Sequence, residues 1–365
     1  MLLGMSLRWS DLIINMSTEA YFLILSCILA AICANLCVKI SPVRSCRKSE
    51  CLINNRRKRV LIWFFLFGSV FEFLIERNLP LISLFYGSFI LYTEYGIGGL
   101  HGLLNSLQLV LFSIYLYEFL QQGDGKKKFL VLIALVFWSA LLMSRGMIMM
   151  QAFHGLILYI SVRKVSFKLI AKLLVAITSL ISVFIIMGNS RVKGGYDINQ
   201  LAQVNDNFPS PIPDGVIWVY LYFVTPFNNV VNSLSGYDSV RYYPYNTLIY
   251  PLPNFFKSYF TIDSDKFITL VNPNLNVSSF FDSVYPDFGL EFSWLYIFGY
   301  FFVFSLNFKK LSYSTRAVLL NSCFCTMAFF SMFTNSFAML ILLFEVLTIF
   351  FVTQWKFKRD EKKVF

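Results

Sequence analysis

Residues 309–356 read KKLSYSTRAVLLNSCFCTMAFFSMFTNSFAMLILLFEVLTIFFVTQWK, and this order of basic and apolar stretches decides the fold. Two apolar runs, 317–334 and 337–355, lie between basic ends. Each run is close to the ~20 residues that an α-helix needs to cross the hydrocarbon core of a bilayer. Lys and Arg beside membrane helices favour the cytoplasmic side. The stretch therefore predicts a membrane hairpin with both ends in the cytoplasm.

The same pattern extends over the whole chain. Most of the 31 Lys and Arg residues fall in clusters between apolar runs. These clusters are residues 39–59, 126–128, 163–172, 309–316 and 356–363. The positive-inside rule predicts that all of them are cytoplasmic.

The basic residues outside these clusters are predicted to lie on or near the opposite face. They are Arg8, Arg77, Arg145, Arg191, Lys193, Arg241, Lys257 and Lys266. Charge is costly in and near the hydrocarbon, so residues that depart from the orientation rule are the first candidates for function.

Composition supports this class of protein. Hydrophobic residues make up 57% and charged residues 14%, whereas a soluble domain has roughly 25% charged residues. The formal charge of +11 is explained by membrane orientation, so no nucleic-acid partner is expected. The seven cysteines lie in apolar runs or the first basic cluster, which argues against a disulfide framework. Cys323 and Cys325 have no further Cys or His near them in the sequence, so neither a metal site nor a cofactor is expected.

The apolar runs define the predicted fold class. Direct candidates for spans are 20–40, 60–79, 101–121, 169–188, 292–308, 317–334 and 337–355, and residues 128–163 form a further hairpin. This predicts an all-α polytopic integral membrane protein with about 9–11 transmembrane helices. Nine spans put the amino terminus outside and the carboxyl terminus inside. A tenth span within 79–97 would reverse the side of the amino terminus.

Three parts of the chain are predicted. Residues 1–188 hold the amino-terminal transmembrane helices, 189–290 form a large outer loop, and 291–365 hold the last helices and a short cytoplasmic tail. The loop is too long for a simple connection and contains most of the 11 prolines. Its apolar stretch VIWVYLYFV, residues 216–224, is predicted to be a surface-lying helix. A pair of crossings that includes 247–256 is the alternative.

Arginines on the outer face are the most specific candidates for binding. Arg145 lies at the predicted turn Ser144-Arg145-Gly146 of a hairpin too short for two full spans, which draws it toward the membrane interface. Arg191 follows a span, and Arg241 lies in the aromatic run SVRYYPYN. Guanidinium groups bind phosphate oxygens bidentately, so these residues suit a lipid-linked pyrophosphate. Anchoring to lipid head groups is the alternative. Lys193 either assists Arg191 or is a surface lysine.

Carboxylates provide candidates for a base. Asp287 and Glu291 flank a glycine turn in YPDFGLEFSW, where acidic residues also act as ordinary helix caps. Glu72 and Glu76 are four residues apart and share one helix face beside Arg77. This second group suits either acceptor binding or an internal structural pair.

Only two histidines occur in the chain. His101 follows the glycine-rich turn that begins after Glu94, and it is either part of a turn entering a helix or a site residue. His154 lies in an apolar helix and is interpreted as a packed residue.

The chain resembles the Wzy-type O-antigen or capsular repeat-unit polymerases of Gram-negative bacteria. The resemblance rests on the topology with its large outer loop and on four segments. These are LLMSRGMIMMQAFHGLILYISVRK (141–164), GNSR (188–191), EYGIGGLHGLLNSL (94–107) and DFGLEFSW (287–294). It covers most of the chain.

The resemblance implies a multi-pass protein of the bacterial inner membrane, similar in fold to membrane glycosyltransferases with polyprenyl donors. It implies an inverting, metal-independent transfer on the periplasmic side, in which a glycan on undecaprenyl pyrophosphate moves onto an incoming lipid-linked repeat unit. Arg191, Arg145 and Arg241 would neutralise the leaving pyrophosphate. Asp287 or Glu94 would align or deprotonate the acceptor hydroxyl. Partners would include membrane lipids and a chain-length regulator.

Substrate contacts are expected from Arg145, Lys193, Glu94, His101 and Glu72, with Arg191, Arg241 and Asp287 as the catalytic group. The related O-antigen ligases use a histidine in the outer loop, and residues 189–290 contain none, which favours a polymerase. A transporter of lipid-linked oligosaccharide would place ionisable groups at mid-membrane, whereas here they are predicted at one face. A non-catalytic scaffold would tolerate the loss of Arg191 and Arg241.

Overall fold

The computed structural model describes most of the chain and is mostly helical. It covers residues 2–40, 50–86, 95–122, 125–163, 198–234, 240–260, 268–273, 277–310 and 314–356, with single positions between 171 and 182 and at 275. The predicted span 169–188 therefore lies almost entirely outside the described residues.

Helices dominate the described part of the chain. They are α1 (Leu2–Leu7), α2 (Thr18–Ile40), α3 (Asn55–Glu76), α4 (Pro80–Phe85), α5 (Leu100–Gln122), α6 (Lys126–Leu141), α7 (Arg145–Val162), α8 (Ile198–Ala202), α9 (Val216–Leu234), α10 (Tyr245–Ile249), α11 (Asn254–Lys257), α12 (Phe281–Phe308), α13 (Thr315–Phe330) and α14 (Leu340–Val352). A 3-10 turn, Ser336–Ala338, precedes α14. The strands are β1 (Glu50–Ile53) and β2 (Thr353–Lys356).

Three of these helices are long and apolar enough to cross a membrane. Within the described ranges they are α2, α5 and α12. Helices α2 and α5 coincide with the predicted spans 20–40 and 101–121. Helices α13 and α14 are also apolar but have only 16 and 13 residues, fewer than the ~20 of a full span. The predicted spans 317–334 and 337–355 are thus shortened by the turns that join α13 to α14.

The structure also contains a small two-stranded β-sheet, which the predicted all-α fold did not include. Strands β1 and β2 pair antiparallel, with Glu50 opposite Lys356 and Ile53 opposite Thr353. The pairing joins the chain entering α3 to the chain leaving α14. Arg57 donates from Nη1 to the Phe351 carbonyl at 2.7 Å, which extends this junction.

The predicted cytoplasmic clusters meet at the same end of the helical bundle. Lys58 at the start of α3 pairs with Glu118 near the end of α5 at 2.5 Å. Arg163 donates to the Leu120 carbonyl at 2.6 Å, and Arg316 donates to the Thr353 carbonyl at 2.8 Å. These contacts bring basic residues from three clusters to one end.

Helix α5 forms the centre of the bundle and contacts α3, α6, α7 and α14. Its middle is buried on all sides, with Leu109, Val110 and Ile114 fully enclosed. The buried Gln108 is held by its Nε2, which donates to the Leu135 carbonyl and to Ser139 Oγ, both at 2.6 Å, whereas its Oε1 has no partner among the described residues. A polar residue is therefore tolerated in an apolar core.

A second core joins the amino-terminal segment to the predicted outer loop. Met5 of α1 packs with Ile217 and Val224 of α9. Asn228 of α9 accepts from the Ile14 amide at 2.9 Å and donates to the Leu12 carbonyl at 2.8 Å. The residues before α2 thus belong structurally with the loop, although they were predicted as part of the 1–188 unit.

Helix α9 begins at the apolar stretch predicted to lie on the membrane surface. It continues through Pro226 to Leu234, and its residues 224–231 are all buried, so this half of the helix is enclosed on every side. It is not among the candidate spans of the described residues.

Helix α12 is broken at Gly289, whose backbone angles are φ 61° and ψ −166°. This conformation is essentially restricted to glycine. A Cβ at this position would lie 2.8 Å from Glu291 Oε2 and 3.1 Å from Val240. The break separates a buried segment, 281–288, from the long apolar helix that follows.

Candidate functional site

Asp287 joins the predicted outer loop to the break in α12. Its carboxylate is fully buried and accepts hydrogen bonds from the Asn246 amide and side chain, both at 2.8 Å. It also accepts from the Thr247 amide at 2.7 Å and from the Thr247 hydroxyl. These donors lie at the start of α10, so the carboxylate caps that short helix from a distant part of the chain. These contacts are those of a helix cap, the alternative to a base that the sequence left open for Asp287.

Arg241 lies beside Asp287 but presents its charge toward the surface. Its amide donates to the Pro286 carbonyl at 2.9 Å, which ties it to the same part of α12. The guanidinium carbon lies 4.3 Å from the Tyr245 ring centroid, and Nη1 donates to the Tyr243 hydroxyl at 2.8 Å. The arginine is half-buried, whereas Tyr243 is exposed. The aromatic neighbours expected from the sequence therefore contact the guanidinium directly.

Lys257 supplies a second cation close to α10. Its Nζ lies 5.0 Å from the ring centroid of Tyr250, and burial lowers the pKa of this lysine. The Tyr250 hydroxyl lies 2.5 Å from the Thr334 hydroxyl. The pKa of Tyr250 is raised, mainly by burial and to a lesser extent by the negative charge of Asp282. In the sequence, Lys257 is distinguished only as a basic residue outside the clusters, and no local signal marks Tyr250 or Asp282.

We call Arg241, Tyr243, Tyr245, Tyr250 and Lys257 the aromatic–basic cluster. It consists of two cation–tyrosine pairs, Arg241 with Tyr245 and Lys257 with Tyr250, at the two ends of α10 in the predicted outer loop. Such pairing keeps a cation partly desolvated and oriented while leaving aromatic surface open.

A second polar group forms where α3 ends and α5 begins. Glu72 Oε2 contacts His101 Nδ1 at 3.1 Å, and Oε1 accepts from the Ile97 amide at 3.2 Å. Glu76 accepts from the Gly96 amide at 3.3 Å. The structure thus brings together Glu72 and His101, two residues predicted to bind substrate, through the glycine-rich turn between them.

Tyr95 completes this group. Its ring lies edge-on to that of His101, 5.7 Å between centroids, and burial together with Glu72 and Glu76 raises the pKa of Tyr95 to about 12. Among the described residues, the Tyr95 hydroxyl and His101 Nε2 are buried without a hydrogen-bond partner. Buried polar atoms are normally satisfied, so these two can take a water molecule or a ligand hydroxyl.

Arg145 begins α7 and does not form the tip of the hairpin. The turn consists of residues 142–144, with Met143 in the left-handed region at φ 51°. The predicted turn centred on Arg145 is therefore displaced toward the amino terminus. Leu142 packs with Leu79 and Tyr95, which brings the turn close to the Glu72–His101 group.

An apolar groove of about 510 Å³ runs between α3, α5 and α6. Phe65, Ser69 and Phe73 line it from α3, and Trp138 lines it from α6. Because Ser69 precedes Glu72 by one helical turn, the groove approaches the Glu72–His101 group. An apolar chain in this groove would have its polar end near the turns that hold His101.

The bundle also contains an ionisable pair that sequence analysis missed. His154 of α7 and Glu345 of α14 are both fully buried, with His154 Nε2 3.0 and 3.1 Å from the two carboxylate oxygens. The expectation that ionisable groups concentrate at one face is therefore wrong for these two. Glu345 is the single charged residue in the apolar stretch LILLFEVLTIFFV, and that isolation was the available signal.

Cys323 of α13 lies beside this pair. The ligand atoms of His154, Cys323 and Glu345 all lie within 4.8 Å of one another. The sequence argument against a metal at Cys323 considered only neighbours along the chain. The fold supplies the missing neighbours from two other helices.

Three predicted site residues cannot be placed. Arg191, Lys193 and Glu94 lie outside the described residues. Of the predicted catalytic group, Arg241 and Asp287 are therefore the members whose surroundings are defined, and they are neighbours.

No protein-family model, curated protein or solved structure matches this chain.

Proposed function

We propose that this protein is a Wzy-type polymerase that joins undecaprenyl-pyrophosphate-linked oligosaccharide repeat units at the periplasmic face of the bacterial inner membrane. The observation that carries the proposal is the aromatic–basic cluster on the outer loop. Its guanidinium and ammonium groups suit a pyrophosphate, and its tyrosine faces suit sugar rings.

The arrangement of charge favours this location. Basic residues that the orientation rule assigns to the cytoplasm meet at one end of the bundle, around Lys58, Arg163 and Arg316. The amino-terminal segment packs on α9 of the loop, which supports a location for both on one side of the membrane. This agrees with an outside amino terminus and a periplasmic loop.

The apolar groove favours a lipid-linked substrate. A polyprenyl chain is apolar along its whole length and carries its charge at one end. The groove between α3, α5 and α6 is lined almost wholly by apolar side chains and approaches the Glu72–His101 group at one end. His101 and Tyr95 then have polar atoms for the hydroxyl groups of a sugar.

The transfer requires charge stabilisation and a base. The acceptor hydroxyl attacks the anomeric carbon, the bond from that carbon to the phosphate oxygen breaks, and the pyrophosphate leaves with the electron pair. Arg241 and Lys257 would stabilise that developing negative charge, as would Arg145 and Arg191 if their side chains reach the same phosphate. Asp287 is engaged in loop hydrogen bonds, so Asp282 near Tyr250 is the better candidate to receive the hydroxyl proton.

The test is a reconstituted polymerisation with purified protein, lipid-linked repeat units and no added divalent metal. We expect a ladder of regularly spaced products on a gel. Arg241→Ala should reduce its rate by about 100-fold or more, because it removes a donor to the leaving group. Arg57→Ala is the matched control, since Arg57 also stacks on an aromatic ring, Phe351, but at the opposite, basic end. If both variants form the ladder of products at the same rate, the role of Arg241 is overturned.

A transporter of lipid-linked oligosaccharide is the second candidate. The buried His154–Glu345 pair favours it, because ionisable groups inside a helical bundle are typical of proton-coupled carriers. Translocation of a lipid-linked sugar across vesicles, abolished by Glu345→Gln and without any ladder, would favour transport over polymerisation.

A further inference from the structure

The His154–Cys323–Glu345 group is the most completely buried cluster of reactive side chains among the described residues. Each residue comes from a different helix, and each is 0% exposed. The group lies in the packed bundle, and none of its members belongs to the aromatic–basic cluster. Burying ionisable groups is costly, so their convergence calls for a compensating partner.

Hydrogen bonding determines how His154 is protonated. Its Nδ1 lies 2.8 Å from the Met150 carbonyl, which only accepts, so Nδ1 carries a hydrogen. His154 Nε2 then faces the Glu345 carboxylate at 3.0 Å, either with its lone pair or with the second N–H hydrogen of a protonated ring. A contact of this length between two acceptors requires a hydrogen or a metal cation between them. In the metal-free protein a proton serves that purpose.

We propose that His154, Cys323 and Glu345 bind one divalent transition-metal ion of the zinc type. The cation replaces the proton shared by His154 and Glu345, and it also displaces the thiol proton of Cys323. One carboxylate and one thiolate then balance the two positive charges, so the occupied site is electrically neutral inside the apolar bundle.

The ligand set and the spacing both suit such an ion. A nitrogen, an oxygen and a sulfur ligand select zinc or cobalt over magnesium and calcium, which prefer oxygen. Ligands of a tetrahedral zinc lie about 3.3–3.8 Å apart, given bonds of about 2.0–2.3 Å. The three atoms are already within 4.8 Å of one another, so small side-chain rotations suffice.

The surroundings of His154 match those of a metal ligand. A ligating histidine usually donates its other ring N–H to a backbone carbonyl or carboxylate, which orients the ring and increases its basicity. The Met150 carbonyl occupies that position. Thr326 lies 3.0 Å from the same Nδ1 and donates to the Ser322 carbonyl at 2.9 Å, which further restricts the ring.

The proposed ion joins α7, α13 and α14, so its role is structural and does not depend on the proposed polymerase activity. A metal bound by residues distant in sequence stabilises the native packing, because the unfolded chain has no preformed site.

The test uses untagged, full-length protein purified in detergent from cells grown with added Co²⁺. Cobalt bound by a thiolate produces a charge-transfer absorption in the near ultraviolet. We expect about one Co²⁺ per chain and this absorption in the wild type. Cys323→Ser should abolish the absorption and weaken binding by at least about 100-fold, whereas Cys325→Ser, the control two positions away, should retain both.

Glu345→Gln provides a second variant that keeps the side-chain shape. We expect it to lose most of the bound metal while eluting as a monodisperse protein on size exclusion. Wild-type protein without bound cobalt, or an absorption that survives Cys323→Ser, would overturn the metal site. The group would then be a histidine–glutamate pair that shares a proton. Neither result alters the interpretation of an Arg241→Ala polymerisation experiment.

Discussion

The aromatic–basic cluster and the His154–Cys323–Glu345 group use similar chemistry in opposite environments. Arg241 is half-buried against Tyr245, on a loop with exposed tyrosines. His154 and Glu345 are enclosed by helices and satisfy one another. A charge near water costs little when its partner is removed, whereas a buried charge left alone is expensive. The comparison therefore separates a region suited to binding from one that supports the bundle.

Glu345→Ala has the largest expected effect and tests whether the buried pair stabilises the helical bundle. We expect the free energy of unfolding to fall by about 3–5 kcal/mol, because the substitution leaves His154 buried without its partner. Chemical unfolding in micelles measures this loss. Lys58→Ala is the comparison, since the Lys58 and Glu118 side chains each keep 13% of their surface exposed, and we expect a smaller loss because water still reaches both groups. Equal losses in the two variants would show that the buried pair is hydrated.

Asp287→Ala tests whether this carboxylate is structural. It removes the acceptor for two amides and two side chains at the start of α10, so we expect a loss of about 3 kcal/mol in local stability. Hydrogen exchange of the amides in 245–249 measures it directly. Glu291→Ala is the control, because Glu291 is exposed and its loss should change stability by less than about 0.5 kcal/mol. Unchanged exchange after Asp287→Ala would return Asp287 to the list of candidate bases.

Gly289→Ala tests the break in α12, with a smaller expected effect. The alanine Cβ would meet Glu291 and Val240, and the backbone angles favour glycine alone, so we expect a loss of about 1–3 kcal/mol. Thermal unfolding of the detergent-solubilised protein measures this change. Gly299→Ala, in the same helix with open space around the position, should be neutral or stabilising. If the two variants unfold alike, α12 tolerates a continuous helix.

Several features of the fold were predictable because their signals are local. The apolar runs of α2 and α5 are long, and their length alone identifies helices that can cross a membrane. The aromatic surroundings of Arg241 were also visible in SVRYYPYN, because the contacting tyrosines are two and four residues away. The shorter α13 and α14 were overestimated, since hydrophobicity continues through the turns that interrupt them.

Other features depend on contacts between distant parts of the chain. The packing of α1 on α9 and the pairing of β1 with β2 have no local signature. The capping of α10 by Asp287 has no local signature for the same reason, because Asp287 and Asn246 are 41 positions apart. In the sequence, an acidic residue beside a glycine turn is compatible with either a helix cap or a base. Only the hydrogen bonds from α10 to the carboxylate show that Asp287 is a cap.

The sequence by itself determined the class of helix, the orientation signal and the candidate cations, because hydropathy and charge are properties of consecutive residues. Only the tertiary structure decided which polar residues meet. His154 and Glu345 are 191 positions apart, and each alone resembles an exception in an apolar helix. Packing three helices around one point turns those exceptions into a single site, since burial removes water and leaves polar side chains to satisfy one another.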